Sequence, residues 1–312
     1  MDFHIQLPPS FPTSTVKDLL EKHWLVPRKI RHFLRTKKHL LVNNQAINWQ
    51  SQVRAGDLIQ LIFDDENYPK KKILLGQANL VDCLYEDQHL IIVNKPEGMK
   101  THANQPDEIA LLNHVSAYVG DTCYVVHRLD KETSGLVLFA KNPFVLPILN
   151  RLLEDKQISR QYWALAQGRL AQKVITYRDK IGRDRHDRRK RLVTNKGQEA
   201  ITHIRRLKEF NGPKGPCTLV DCQLETGRTH QIRVHLAHHG HAIIGDPLYS
   251  KIPAKRLMLH AHKLSFVHPF TREEITIQAQ SASFEKELGN WQWQPSEIGL
   301  AIMSISSLHG IT

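Results

Sequence analysis

The chain has 312 residues and a formal net charge of +12, with 41% hydrophobic and 24% charged residues. That length holds more than one domain, and the composition is that of a water-soluble globular protein. No run of about 18 apolar residues occurs, so no membrane span is expected, and the excess of cations favours a polyanionic partner, nucleic acid above all.

The opening residues, MDFHIQLPPSF, have neither the basic start nor the apolar core of a secretion signal. Four cysteines, Cys83, Cys123, Cys217 and Cys222, show no metal or redox spacing. They fit buried free thiols in a reducing cytoplasm, which is the expected location.

Residues 1–66 read as a first domain. Val16, Leu19 and Leu20 begin one helical stripe and Ile30, Phe33 and Leu34 another, with Pro27 between them. Leu40–Val42 and Leu58–Phe63 read as short strands, with turns at Asn43-Asn44 and Gly56-Asp57. The helical part carries Lys17, Lys22, Arg28, Lys29, Arg31, Arg35, Lys37 and Lys38 against only Asp18 and Glu21. Such a run is ordinarily a solvated face. Yet two basic helices, then V-N-N-x-x-I, then a G-D-x-I-x-L strand resemble the small RNA-binding domain shared with ribosomal protein S-four. The resemblance makes Arg28, Lys29, Arg31, Arg35, Lys37 and Lys38 candidate RNA contacts.

The polar, aperiodic stretch DDENYPKKK (64–72) introduces a linker set at residues 67–83. A second domain, 84–295, opens with an apolar strand at Leu90–Val93 and a turn at Asn94–Gly98. Asp107 is expected to cap a helix that turns Leu111, Leu112, Val115 and Val119 inward and stops at Gly120. Two apolar runs, Cys123–Val126 and Leu136–Ala140, read as buried strands on either side of HRLDKETSG. A loop held between core strands fixes a carboxylate while leaving it reachable. Asp130 is that carboxylate, and nearby cations favour the charged form of such a group. It suits a nucleophile or a base, although spacing alone fits an ordinary Asp–Arg hairpin pair better.

Downstream, Asn142-Pro143 begins another helix, and QYWALAQ (161–167) is a strand carrying Tyr162, which by itself reads as a half-buried strand residue. The stretch 178–191 reads as an Arg-rich loop. Arg188, Arg189 and Arg191 are candidate phosphate contacts, because the guanidinium fork matches phosphate oxygens. A strand at Thr218–Leu224 leads into ETGRTHQIRVHL (225–236), and residues 230–239 suit a helix with Arg233 one turn beyond His230. His230, His235, His238, His239 and His241 suggest zinc. No Cys or carboxylate joins them at a recognised spacing, and successive helix positions point apart, so no metal site is expected. Residues 296–312 form a tail that matches no known motif.

Several of these stretches are similar to the motifs of the RluA-type RNA pseudouridine synthases. HRLDKETSGL (127–136) resembles H-R-L-D-x-x-T-S-G-L, KPEGMKTH (95–102) resembles K-P-x-G followed by a His, and RQYWA (160–164) resembles (K/R)-x-Y-x-A. GRTHQIRVH (227–235) resembles G-R-x-H-Q-[IL]-R-x-H. Ala103, Ile109-Ala110 and Ala242 depart from the pattern at positions without chemistry. The resemblance implies an α+β catalytic fold, a long mixed or antiparallel sheet with flanking helices, beside the small α+β RNA-binding domain. It implies Asp130 as nucleophile, Arg233 as its ion-pair partner, Tyr162 against the target base and Arg128 in the space that base vacates.

The implied reaction detaches uracil from ribose, rotates it and rejoins it through carbon 5. No atom is lost and no redox step occurs, so no cofactor is expected. One carboxylate to stabilise or trap the ribose suffices. The expected partner is RNA, large-subunit (23S) ribosomal RNA ahead of transfer RNA, and the expected state is a monomer. A non-catalytic RNA-binding assembly factor would need the basic surfaces but not Asp130, Arg233 and Tyr162 together. A glycosidase or nuclease would need a second acid or a metal cluster, for which Glu132 is the nearest candidate.

Overall fold

A computed structural model describes residues 1–64, 66, 68, 73–105 and 107–291. The tail 296–312, the end of the second unit and most of the DDENYPKKK stretch lie outside the described residues. In the first unit, strands β1 (Asp2–Gln6), β2 (Leu40–Val42) and β3 (Leu58–Ile62) form a sheet in the order β1-β3-β2, which the two-residue strand Gln45–Ala46 extends. Helix α1 (Arg28–Lys37) buries Ile30 and Leu34 and ends at Lys38, whose φ of 57° closes the last turn. The earlier apolar stripe forms one short α turn, Val16–Asp18, that widens into a π turn, Leu19–His23.

The second unit contains strands β4 (Cys83–Glu86), β5 (Leu90–Lys95), β6 (Ser134–Ala140), β7 (Ser159–Gln167), β8 (Val174–Arg183), β9 (Arg191–Val193), β10 (Gln198–Gly212), β11 (Gly215–Leu224), β12 (Leu259–Val267) and β13 (Glu274–Gln278). They build an 11-stranded sheet in the order β9-β8-β10-β11-β7-β12-β6-β5-β4, with β13 on β12 and Tyr124–Val125 on β6. The β6–β12 pair is parallel and its neighbours are antiparallel. Helices α2 (Leu111–Val119), α3 (Val145–Glu154), α4 (Gln231–His238) and α5 (Ala282–Asn290) flank the sheet. The architecture is therefore α+β with a long mixed sheet. No helix among the described residues is long and apolar enough to cross a membrane.

Strand β6 is buried along its whole length, as a continuous apolar run in a covered sheet should be. Its alternation sorts side chains between two cores. Leu136, Leu138 and Ala140 face the core of α3, and Val137 and Phe139 face the core of α2, α4 and α5. The first of these cores is shared with the N-terminal unit. Phe144, beside α3, packs its ring 5.3 Å from Phe3 and 5.2 Å from Phe63. Trp24 meets Phe270 edge-on at 5.2 Å. Residues after the polar stretch also dock, since Asn113 Nδ2 of α2 donates to the Leu74 carbonyl at 2.7 Å.

Two local expectations change. Helix α2 starts at Leu111 and its entry is held by the Ala110 amide donating to Asn113 Oδ1 at 2.9 Å, so Asp107 does not cap it. The basic stretch 178–191 is a loop only in its middle, because β8 runs on to Arg183 and β9 begins at Arg191. Its I-T-Y-R-D-K-I alternation lets β8 pair with β10 along its length.

Gly135 marks the closest approach in the sheet. It has φ of +114°, and a Cβ there would lie 2.2 Å from the Ala261 carbonyl oxygen of β12. Only glycine tolerates both conditions. Gly135→Ala is therefore expected to destabilise the protein by about 3 kcal/mol or more. A denaturant melt of that variant within about 1 kcal/mol of the parent would show that the parallel β6–β12 contact yields easily.

Candidate active site

The Asp130 loop runs from Tyr124–Val125 to β6 and is held from below by the KPEGMKTH segment. Lys95 is fully buried, and its ammonium donates to the carbonyls of Pro96, Met99 and Lys131 at 2.9, 2.7 and 3.2 Å. Burial pushes its pKa down to about 8. The Gly98 amide donates to the Lys131 carbonyl at 2.8 Å. Thr101 Oγ1 donates to the Leu129 carbonyl at 2.9 Å and accepts from the Leu129 amide at 3.1 Å. The turn closes on itself through the Thr133 amide donating to the Asp130 carbonyl at 3.1 Å. Ser134, leaving the loop, bonds His260 Nδ1 at 2.8 Å and accepts from Arg256 Nη2 at 2.7 Å. Few backbone freedoms remain, so the carboxylate is placed by its frame before any substrate arrives.

Helix α4 delivers the opposing charge. Arg233, 1% exposed, donates through Nε and Nη2 to both oxygens of Asp246 at 2.7 and 2.8 Å. Its remaining nitrogen, Nη1, reaches Asp130 Oδ2 at 2.9 Å. Asp246 Oδ1 also accepts from the Leu248 and Tyr249 amides at 2.9 and 3.2 Å, and the Tyr249 ring lies 5.4 Å from the guanidinium carbon. Arg233 is raised above its ordinary pKa by Asp246 and Asp130, against the opposing effect of burial. Its positive charge is thus fixed beside the Asp130 carboxylate. His230, at the helix entry, has φ of 58°, a left-handed conformation uncommon for a residue with a Cβ. It bonds the Tyr249 hydroxyl through Nδ1 at 3.0 Å and places Nε2 3.7 Å from Asp130 Oδ2. Burial lowers the His230 pKa, with Asp130 opposing.

Asp130, Arg233, Tyr162 and Arg128 line one cleft of about 490 Å³. Tyr162 is 5% exposed and follows a register shift in the β7–β12 pairing between Gln161 and Tyr162. A bulge of this kind re-aims a side chain. Burial raises the phenol's pKa, so it stays neutral in the cleft wall. Arg128 is exposed, with no hydrogen bond or ion pair among the described residues. His127 does not join the chemistry. It is buried, accepts the Leu138 amide at 3.2 Å through Nε2, and burial pushes its pKa down to about 3.

Four residues of the site were not singled out in the sequence. Lys95 holds the loop and Asp246 holds Arg233, with Tyr249 beneath that pair. Arg160, 7% exposed, lines the cleft with no hydrogen-bond partner for its guanidinium among the described residues, and its Nε is fully enclosed. Gly227 makes room for it, since a Cβ there would come within 2.9 Å of Arg160 Nη1. The signal for Asp246 was present in HAIIGDPLYS, a stretch with one acid among apolar residues. Glu132, the second-acid candidate, sits 4.0 Å from Arg233 Nη1 but is not part of the cleft wall. Glu225, which is, pairs with Lys156 and His203.

The basic candidates lie on other surfaces. Arg28, Lys29, Arg35, Lys37 and Lys38 are exposed on and after α1, whereas Arg31 is half-buried in an ion pair with Glu21 at 2.6 Å. In the β8–β9 hairpin Arg188 is exposed and Arg189 pairs with Asp187 at 2.8 Å. Arg191 turns Nη1 back onto the carbonyls of Arg188 and Lys190 at 3.1 and 2.8 Å. Its amide meets the Tyr249 hydroxyl at 2.8 Å, which ties this hairpin to the wall behind Arg233.

Residues 89–238 match the model of the RNA pseudouridylate synthase family, and residues 3–59 match that of the RluD ribosomal pseudouridine synthase N-terminal domain. The uncharacterized RNA pseudouridine synthase YhcT of Bacillus subtilis (strain 168) is 39% identical over 80% of this chain and 84% of its own. The ribosomal large subunit pseudouridine synthase D of Buchnera aphidicola subsp. Schizaphis graminum (strain Sg) is 32% identical over 81% and 86%. A solved structure of human RNA pseudouridylate synthase domain containing 1 has the same fold, with a TM-score of 0.60 at 21% identity over 76% of this chain and 97% of that one. Motifs, fold and relatives agree: the chain belongs to the RluA-type RNA pseudouridine synthases and is an isomerase of uridine in RNA.

Proposed function

We propose that this enzyme converts uridines of large-subunit ribosomal RNA to pseudouridine, with Asp130 as the group that acts on the ribose. The observation that carries the role of Asp130 is its bond to Arg233, a guanidinium locked by the buried Asp246 and left with one nitrogen for the cleft. The target nucleotide leaves its stack, at a cost of a few kcal/mol. Arg128 at the cleft surface takes the vacated place, and Tyr162 packs against the base, a contact worth ~1–3 kcal/mol. Arg160, a buried cation with no hydrogen-bond partner among the described residues, receives an anionic or carbonyl oxygen of the bound nucleotide.

The bond from ribose carbon 1′ to uracil N1 breaks, the base turns within the cleft, and carbon 5 bonds to the same ribose carbon. Carbon 5 loses a proton and N1 gains one, so atoms and charge balance without a cofactor. Asp130 carries the ribose through the interval, as a carboxylate does in retaining glycosidases. The base must stay and water must stay out, which suits a site with one placed carboxylate rather than an acid–base pair. The exposed cations of the N-terminal unit, Arg28, Lys29, Arg35, Lys37 and Lys38, supply phosphate contacts away from the cleft in the manner of an S-four-like domain.

The ribosomal target rests on the names of the relatives and on the N-terminal match. Pseudouridine mapping of total RNA from cells with and without this protein tests it. The expected result is loss of one or a few sites in large-subunit ribosomal RNA. Loss confined to transfer RNA would move the substrate, and an unchanged map would reject the proposal.

A further inference from the structure

The histidines of α4 stand in a second cluster apart from the cleft. Residues at i, i+3 and i+4 share a helix face, so His235, His238 and His239 turn toward the same side. The neighbouring strand β8 supplies what the local sequence lacks, a carboxylate. Asp179 Oδ2 lies 2.9 Å from His239 Nε2 and 3.9 Å from His235 Nε2. Ligand atoms of Asp179, His238 and His239 all fall within 4.8 Å of one another.

His235 adds an independent observation. It is fully buried, and its Nδ1 bonds the Thr202 hydroxyl at 2.9 Å. Its Nε2 is enclosed, has no hydrogen-bond partner among the described residues, and faces Asp179. A buried ring nitrogen left bare is costly unless something occupies its lone pair. A tetrahedral ion with bonds of ~2.0–2.1 Å sets its ligand atoms about 3.3 Å apart. His239 Nε2 lies 2.9 Å from Asp179 Oδ2, and small rotations of the exposed His238 and His239 rings bring the three groups to that spacing. The Tyr177 ring, stacked on His239 at 3.8 Å, steadies one of them.

We propose that Asp179, His238 and His239 bind one divalent transition-metal ion, with Zn²⁺ the best match to two imidazoles and a carboxylate, and with the enclosed Nε2 of His235 facing Asp179 from the core side. Neutral imidazole and carboxylate ligands favour such ions over Mg²⁺ or Ca²⁺. The ion joins β8 to α4, the helix that carries Arg233, and so braces the active-site helix from the side opposite Asp130. It takes no part in the isomerisation.

The test is calorimetric titration of ZnCl₂ into the full-length, tag-free protein after treatment with a chelator. The expected result is uptake of one ion per chain and a rise in the thermal midpoint on loading. Asp179→Ala, and the pair His238→Ala with His239→Ala, should each weaken binding by at least about tenfold. His186→Ala, in the exposed β8–β9 loop, should leave it unchanged. Co²⁺ should give the absorption of a four-coordinate ion in the parent and lose it in the paired variant. Absence of stoichiometric uptake by the parent would overturn the site. Equal uptake by parent and variants would do the same, and would leave His239 as a surface ring hydrogen-bonded to Asp179.

Discussion

Asp130→Asn is expected to lower isomerisation at least about 10⁴-fold, a barrier increase of ~5.5 kcal/mol, while RNA is still bound. The amide keeps the shape of the carboxylate and loses its charge and nucleophilicity. Little else should move. Arg233 keeps both bonds to Asp246, and the loop keeps its ties to Lys95, Thr101 and Gly98. The cleft and the basic N-terminal face are untouched, so affinity for RNA should stay within a few-fold. Release of tritium from carbon 5 of labelled uridine in RNA measures the reaction, and filter binding measures the complex. Turnover within about tenfold of the parent, ~1.4 kcal/mol, would remove Asp130 from the chemistry. Lost binding with lost turnover would make it a substrate contact instead.

What could be read in the sequence, and what could not, follows from how local each feature is. The Asp130 loop was legible because two apolar runs bracket it and the strand period of β6 is unbroken. Its partner Arg233 was assigned by motif, and no spacing could have shown it, because Asp130 and Arg233 meet only through the crossing of distant elements. Asp246 was passed over for the same reason. A single acid in HAIIGDPLYS looks like a turn residue until α4 brings Arg233 onto it. Asp107 suits a helix cap by residue type, but in the fold Asn113 accepts the Ala110 amide from inside the helix instead. The basic candidates could be counted but not sorted. Only the fold shows that Arg31 belongs to Glu21 and that Arg191 folds onto its own hairpin. The shared core of Phe3, Phe63 and Phe144 was likewise hidden, since each ring reads as the interior of its own unit. The histidines of α4 have no carboxylate beside them in the local sequence, and only the fold brings Asp179 of β8 to them.

Replacing Arg233 should cost both activity and stability, and the two can be separated. Arg233→Ala leaves Asp246 buried and without its cation, where its side chain has 0% exposure. Removing one partner of a buried pair typically costs ~3–5 kcal/mol. The variant should melt well below the parent and lose at least about 10³-fold in turnover, ~4 kcal/mol. Arg233→Lys retains a positive charge that can meet Asp246, so much of the stability should return. A single ammonium cannot bind both oxygens of Asp246 and still reach Asp130 with the spacing of the planar fork. Its turnover should therefore remain at least about 10²-fold down, mostly in kcat, because Asp130 loses its orientation rather than its substrate. Asp246→Asn completes the set. Its amide presents donors to the guanidinium donors, so it should disturb Arg233 without touching the cleft. Thermal melts and steady-state kinetics of the three variants give the comparison. Near-parental kcat in a folded Arg233→Lys protein would mean that charge alone suffices. Near-parental kcat in Asp246→Asn would mean that Arg233 needs no second carboxylate to hold Asp130.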